Sequence, residues 1–278
     1  MLHLRYLQKP LIGIALLMAQ VLKAAHRNDL PSLENQDPSG VFGSPLSPRL
    51  RLVVMGDSSV TAPGVEPLDA AWPRQIALRL AERFCVELHS VAVGGSKTRD
   101  VLAGQLSDAI AFRPDIAVIS VGANDAMRGT PLSRFEREYD EILAQMTKHV
   151  PGIAVSGVGD LGSIPRLPTM ARSLIRIRGR SFDRAVRRVT ARYPDVMKTH
   201  TWSLGWNEFR TNPDEVFAGD LFHASAYGHR IYTNAAMPAV NALVERLTES
   251  EQTGSRIPPS SAQPKSQGTP QAFPQTGS

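Results

Sequence analysis

The sequence predicts an α/β fold, with a parallel sheet of about five strands and helices on both faces. Three observations carry that prediction. Short β-branched and apolar runs alternate with longer segments whose apolar residues recur at helical spacing. The composition is that of a globular chain, with 42% hydrophobic, 21% charged and 6% aromatic residues among 278, which excludes wholesale disorder and fibrous classes. Small clusters of glycine and polar residues follow the first three strands, where the ligand crevice of such a sheet opens.

Taken in order, residues 51–55 read as a buried strand ending at Gly56. Residues 68–84 are helical, with Leu68, Ile76, Leu80 and Phe84 on one face. Residues 86–93 are the second strand, stopped by Gly94-Gly95. Residues 98–112 are a second helix, capped by Thr98 or Ser96. Residues 115–121 are the clearest strand. Residues 132–150 are helical, with Phe135, Tyr139, Ile142, Leu143 and Met146 at core spacing. Residues 152–158 are the fourth strand, 171–193 a long helix, 195–199 a weak fifth strand, and 225–247 the closing helix. Strands separated by helices require right-handed crossovers.

The ends differ from this middle. Residues 1–26 carry Arg5 and Lys9, then an apolar run over 11–22. That pattern predicts a secretory signal or an uncleaved anchor, hence export or membrane association. The competing reading is a buried leader helix on a cytoplasmic protein. Residues 27–48, with four prolines and two glycines, read as a linker. Residues 49–249 are one domain of α/β size. The tail at 250–278 is rich in Pro, Gln, Ser, Thr and Gly, has little apolar surface to bury, and reads as disordered. No run reaches the roughly 18–20 apolar residues of a membrane span, which excludes a polytopic membrane protein. One cysteine, Cys85, excludes a disulfide scaffold and a cysteine-based zinc site; it reads as a small buried hydrophobe at a helix end.

The chemistry lies after the strands. Gly56-Asp57-Ser58-Ser59 follows the first, Gly94-Gly95-Ser96 the second and Gly122-Ala123-Asn124-Asp125 the third; Asp220-Leu221-Phe222-His223 precedes the last helix. Each alone is a common turn or cap signal. Together they meet the needs of acyl transfer. Serine is a poor nucleophile until a base takes its proton. His223 can be that base, and Asp220, three residues earlier, can hold the other ring nitrogen. The developing oxyanion needs fixed donors. The N–H of Ser58, the N–H of Gly95 and the side-chain amide of Asn124 are candidates.

In these four blocks the chain resembles the SGNH hydrolases, the GDSL lipase/acylhydrolase family. The blocks are Val54-Met55-Gly56-Asp57-Ser58, Val91-Ala92-Val93-Gly94-Gly95, Gly122-Ala123-Asn124-Asp125 and Asp220-Leu221-Phe222-His223, in order over residues 51–232. The resemblance implies Ser58 as nucleophile, Asp220 and His223 as acid and base, and Ser58, Gly95 and Asn124 as oxyanion hole. It implies a three-layer α/β/α sandwich of flavodoxin-like type. It also implies ester hydrolysis through an acyl-enzyme, with no metal and no organic cofactor. Three departures stand out. Gly94 occupies a position where the family often has Ser, which makes Gly95 rather than Gly94 a choice. Ala224 follows the histidine in place of a common proline. Ser59 leaves a one-residue ambiguity in the nucleophile.

Other residues read as structural. Asp57 and Asp125 hold turns. His229, at the start of the last helix, packs or caps. The remaining histidines are scattered and suggest no metal set. Residues 166–192 hold nine arginines against one acid, Asp183. This is a solvated helix face, or a basic patch for an anionic membrane surface. The net charge of +5 alone suggests nucleic acid, but no aromatic-basic interleaving supports it. The expected substrates are small-molecule, lipid or glycan esters. Deacetylation of a carbohydrate or cell-envelope polymer, and lysophospholipid or thioester hydrolysis, use the same machinery. A binding module on a degenerate hydrolase scaffold is the non-enzymatic alternative, and the intact Ser, His, Asp, Asn and Gly set argues against it. An aspartyl phosphatase would need a second acid where Ser59 stands.

Overall fold

The computed structural model describes residues 29–199 and 206–252. The leader at 1–26 and the tail from 253 lie outside the described residues, while 250–252, read as the start of the disordered tail, belong to the last helix. Six strands form one sheet: β1 (Gly40–Phe42), β2 (Arg49–Gly56), β3 (Cys85–Ser90), β4 (Ile116–Ser120), β5 (Gly152–Val155) and β6 (Val196–Lys198). Their spatial order is β1-β3-β2-β4-β5-β6. All neighbours are parallel except β1, which runs antiparallel to β3. The helices are α1 (Ser58–Thr61), α2 (Trp72–Leu80), α3 (Thr98–Gly104), α4 (Leu106–Ala111), α5 (Ala123–Met127), α6 (Leu132–Met146), α7 (Thr169–Thr190), α8 (Trp206–Thr211), α9 (Pro213–Val216) and α10 (Ala226–Gln252).

Alternation along each strand divides the core in two. Leu52 and Val54 of β2 face Trp72, Ile76 and Leu80 of α2 and Val240 and Leu243 of α10. Val53 and Met55 face Phe135, Tyr139 and Ile142 of α6 and Phe182 and Val186 of α7. Each fully buried side chain of this size contributes about 1.5–3 kcal/mol. Both faces are covered, so β2 and β4 read as continuous apolar runs. The chain leaves β2 towards β3 and returns on the other side to β4. This reversal opens a crevice at the carboxyl ends of β2 and β4.

The structure corrects several expectations. The stretch at 27–48, read as a linker, supplies β1: Phe42 is buried while Val41 is 69% exposed, and Gly40–Phe42 pairs with Val86 to Leu88. One inward residue in three is too weak a pattern to register as a strand. The helix expected over 98–112 is broken at Gln105, whose backbone (φ −112°, ψ −29°) ends α3 and starts α4. The N-cap position of α3 is Lys97, not Thr98 or Ser96. The helix expected over 68–84 is a 3₁₀ turn at Leu68–Ala70 followed by the shorter α2. Cys85 is half-buried and opens β3 rather than ending a helix.

Candidate active site

The β2–α1 connection is fixed by Gly56. Its φ is +145°, and a Cβ there would lie 1.9 Å from Ser120 O, so no other residue fits. Asp57 follows with its N–H on Ser120 O at 3.2 Å. Its side chain caps α1 by accepting from Ser59 N at 2.9 Å. Burial pushes the Asp57 carboxyl up, and the hydrogen bonds from Ser59 only partly oppose this. Ser58 is the first residue of α1 and is half-buried. Among the described residues its N–H makes no backbone hydrogen bond. Ser59 is engaged elsewhere: its Oγ shares a 2.8 Å hydrogen bond with Ser120 Oγ, and its carbonyl accepts from Trp72 Nε1 at 2.6 Å.

The loop before α10 carries the expected acid and base. Asp220 Oδ1 accepts from the N–H groups of Phe222 and His223, each at 3.0 Å. This turns the chain tightly, with Leu221 at φ +57°. Asp220 Oδ2 then lies 2.7 Å from His223 Nδ1. Burial pushes the Asp220 carboxyl up. The hydrogen bonds from the His223 ring and from the two N–H groups outweigh it and hold its pKa below the ordinary value. An ionised Asp220 makes Nδ1 the donor and leaves Nε2 to accept a proton.

Asn124 is buried at the start of α5, and Nδ2 donates to Ser96 O at 3.2 Å and to Asp57 Oδ2 at 3.4 Å. Its neighbour Asp125 accepts from Thr98 N at 2.8 Å and Thr98 Oγ1 at 3.0 Å, so it fastens the start of α3. Burial pushes the Asp125 carboxyl up, against those hydrogen bonds. Gly95 has φ +79°, its carbonyl accepts from Arg128 Nη1 at 3.2 Å, and its N–H makes no backbone hydrogen bond among the described residues.

Ser58, Asn124 and His223 line one cleft with a cavity volume of about 140 Å³. Asp220 stands behind His223, and Gly95 is not among the lining residues. Among the described residues no hydrogen bond joins Ser58 to His223. His229 also reaches the cleft wall, but it is buried, accepts the Trp72 N–H on Nδ1 at 3.1 Å, and has its pKa pushed down to about 3 by burial. It is the packing histidine its position suggested. Among the described residues no group of three His, Cys, Asp or Glu side chains is placed to hold a metal ion.

Sequence reasoning missed two contributors. Gln105 lies at the helix break and grips Gly56 with both ends of its amide. Oε1 accepts from Gly56 N at 2.8 Å and Nε2 donates to Gly56 O at 2.9 Å. Asp160, after β5, is in the cleft wall with its side chain wholly buried, paired with Arg176 at 2.9 Å and Arg210 at 2.7 Å. Its position at the same rim was the available signal. Much of the arginine-rich stretch is likewise bound to the protein itself. Arg172 and Arg178 donate to backbone carbonyls, while Arg187, Arg188 and Arg192 pair with Asp183, Glu136 and Asp140.

The profile of the GDSL-like lipase/acylhydrolase family matches residues 54–231. The chain belongs to that family. No curated protein sequence matches it. Its fold is similar to that of an acetylxylan esterase from Geobacillus stearothermophilus (TM-score 0.58, 19% identity, 71% of this chain and 96% of that one). It is similar also to an α/β hydrolase from the metagenome of Lake Arreo (0.56, 20%, 71% and 98%). A third similar structure is the psychrotrophic esterase EstA from Pseudoalteromonas sp. (0.55, 13%, 70% and 98%).

Proposed function

We propose that the protein is a serine esterase that cleaves carboxylic esters through an acyl-enzyme on Ser58. The observation that carries this is the 2.7 Å contact between His223 and an ionised Asp220 in the cleft that Ser58 and Asn124 share. Ser58 Oγ attacks the ester carbonyl carbon as its proton passes to His223 Nε2. The carbonyl oxygen becomes an oxyanion held by the N–H groups of Ser58 and Gly95 and by the Asn124 amide, which gives up its long 3.4 Å contact with Asp57 Oδ2 to do so. The carbon–oxygen bond to the alcohol then breaks, and Nε2 returns the proton to the departing alcohol. Water repeats the sequence on the acyl-enzyme, releases the acid and restores Ser58. The engagement of Ser59 Oγ by Ser120 favours Ser58 as the nucleophile.

Since acetylxylan esterases are among the distant structural relatives, acetylated saccharides are the first natural substrates to try. With a short p-nitrophenyl ester, Ser58→Ala should lower kcat by about 10³-fold or more, while Ser59→Ala should retain most activity. Full turnover by Ser58→Ala would remove the assignment.

A further inference from the structure

Residues 33–36 lie within the stretch whose composition reads as a linker, yet they are fastened to the loops around Ser58. Gln36 N donates to Thr61 O at 2.8 Å, and its side-chain amide donates to Ala62 O at 2.8 Å and Val65 O at 3.1 Å. Leu33 closes over Gly64, where a Cβ would lie 2.6 Å from Leu33 Cδ1. Asn35 Oδ1 accepts from Thr61 Oγ1 at 2.6 Å. Thr61 is the last residue of α1 and is buried. The same Asn35 oxygen stands 2.0 Å from the place a Cβ on Gly94 would take, with Asn35 Cγ and Nδ2 each at 2.5 Å. One exposed side chain therefore touches both the end of α1 and the turn after β3.

The two glycines of that turn are there for different reasons. Gly95, at φ +79°, needs glycine for its backbone. Gly94 has no left-handed φ, so its backbone would accept a side chain. The three heavy atoms nearest the place a Cβ would take all belong to Asn35.

We propose that Asn35 is a positioning residue for catalysis. Wedged between Thr61 and Gly94, its amide sets the separation of α1, which carries Ser58, from the Gly94–Gly95 turn, which carries an oxyanion donor. The inference rests on the esterase reading above. Asn35 touches no reacting atom. It acts because an oxyanion donor works only within a few tenths of an ångström of its place. Asn35 is exposed, so its loss leaves the core intact.

The test uses the full chain, p-nitrophenyl acetate hydrolysis and thermal melts on Asn35→Ala, Gly94→Ala, the double variant, Thr61→Val and Thr61→Ser, with Ser58→Ala alongside. Asn35→Ala should lower kcat about fivefold, the effect of about one hydrogen bond, with KM and Tm near those of the parent. Gly94→Ala should expel the Asn35 amide and lower kcat equally. The double variant should be no slower than either single one, because both remove one wedge. Thr61→Val should mimic Asn35→Ala, and Thr61→Ser, which keeps the donor, should not. Losses that multiply in the double variant, or a parental kcat in Asn35→Ala, would overturn the proposal. If Ser58→Ala is inactive and Asn35→Ala is not impaired, only the positioning role falls. If Ser58→Ala is fully active, the esterase assignment fails in its own arm and takes this role with it.

Discussion

Two histidines six residues apart stand in opposite environments. His223 has a carboxylate behind it at 2.7 Å, an arrangement that favours a protonated ring. His229 is buried, accepts the Trp72 N–H and has a pKa of about 3. An unfolded histidine titrates near 6.5, so as pH falls the unfolded chain binds that proton first. His229 therefore costs stability progressively between about pH 6.5 and about pH 3. Urea unfolding at pH 7 and pH 5 should show a loss about 2 kcal/mol smaller in His229→Gln than in the parent. Equal losses would contradict the burial of a neutral ring. The pairing of His223 with Asp220 and the burial of His229 were both legible, because Asp-x-x-His sets a local turn and the start of a helix favours a packing residue. The ion pairs of Asp160 were not legible, since Arg176 and Arg210 are brought to it only by the fold. Replacing Asp160 by Ala leaves two partly exposed arginines without their carboxylate and should cost about 1.5–3 kcal/mol by chemical denaturation.

Among elements, the buried parallel strands and the amphipathic α6 follow directly from their apolar spacing. The Phe135, Tyr139, Ile142, Leu143 and Met146 face is buried as that spacing requires. The break between α3 and α4 does not follow, since the sequence from 98 to 112 keeps helical periodicity across Gln105. The break exists because the Gln105 amide satisfies both backbone groups of Gly56, at the point where β2 hands over to α1. A buried pair of this kind is decided by long-range partners, not by local propensity. Gln105→Ala leaves the Gly56 N–H without its partner, while Gly56 O keeps the Val93 N–H at 3.2 Å. It should lower stability by about 2–3 kcal/mol and reduce kcat, read by melting and by ester hydrolysis. An unchanged melt would show that water replaces the amide.

For the whole molecule, the boundary between linker and domain moves. The segment read as a linker closes the sheet edge with Phe42 and holds the loop after Ser58 through Gln36. A chain beginning at residue 49 should therefore be less stable than one beginning at residue 29, by at least the 1.5–3 kcal/mol of burying one large apolar side chain. It should also associate through the uncovered β3 edge, seen by melting and size-exclusion chromatography. Equal melts and a monomeric short chain would return these residues to the status of a tether. The most direct test of Ser58 as the nucleophile is labelling of the full chain with a fluorophosphonate and mapping of the modified peptide. Stoichiometric adduct on Ser58, absent from Ser58→Ala, is the expected result. An adduct on Ser59, or an active esterase that takes no label on the peptide spanning residues 52–74, would contradict it.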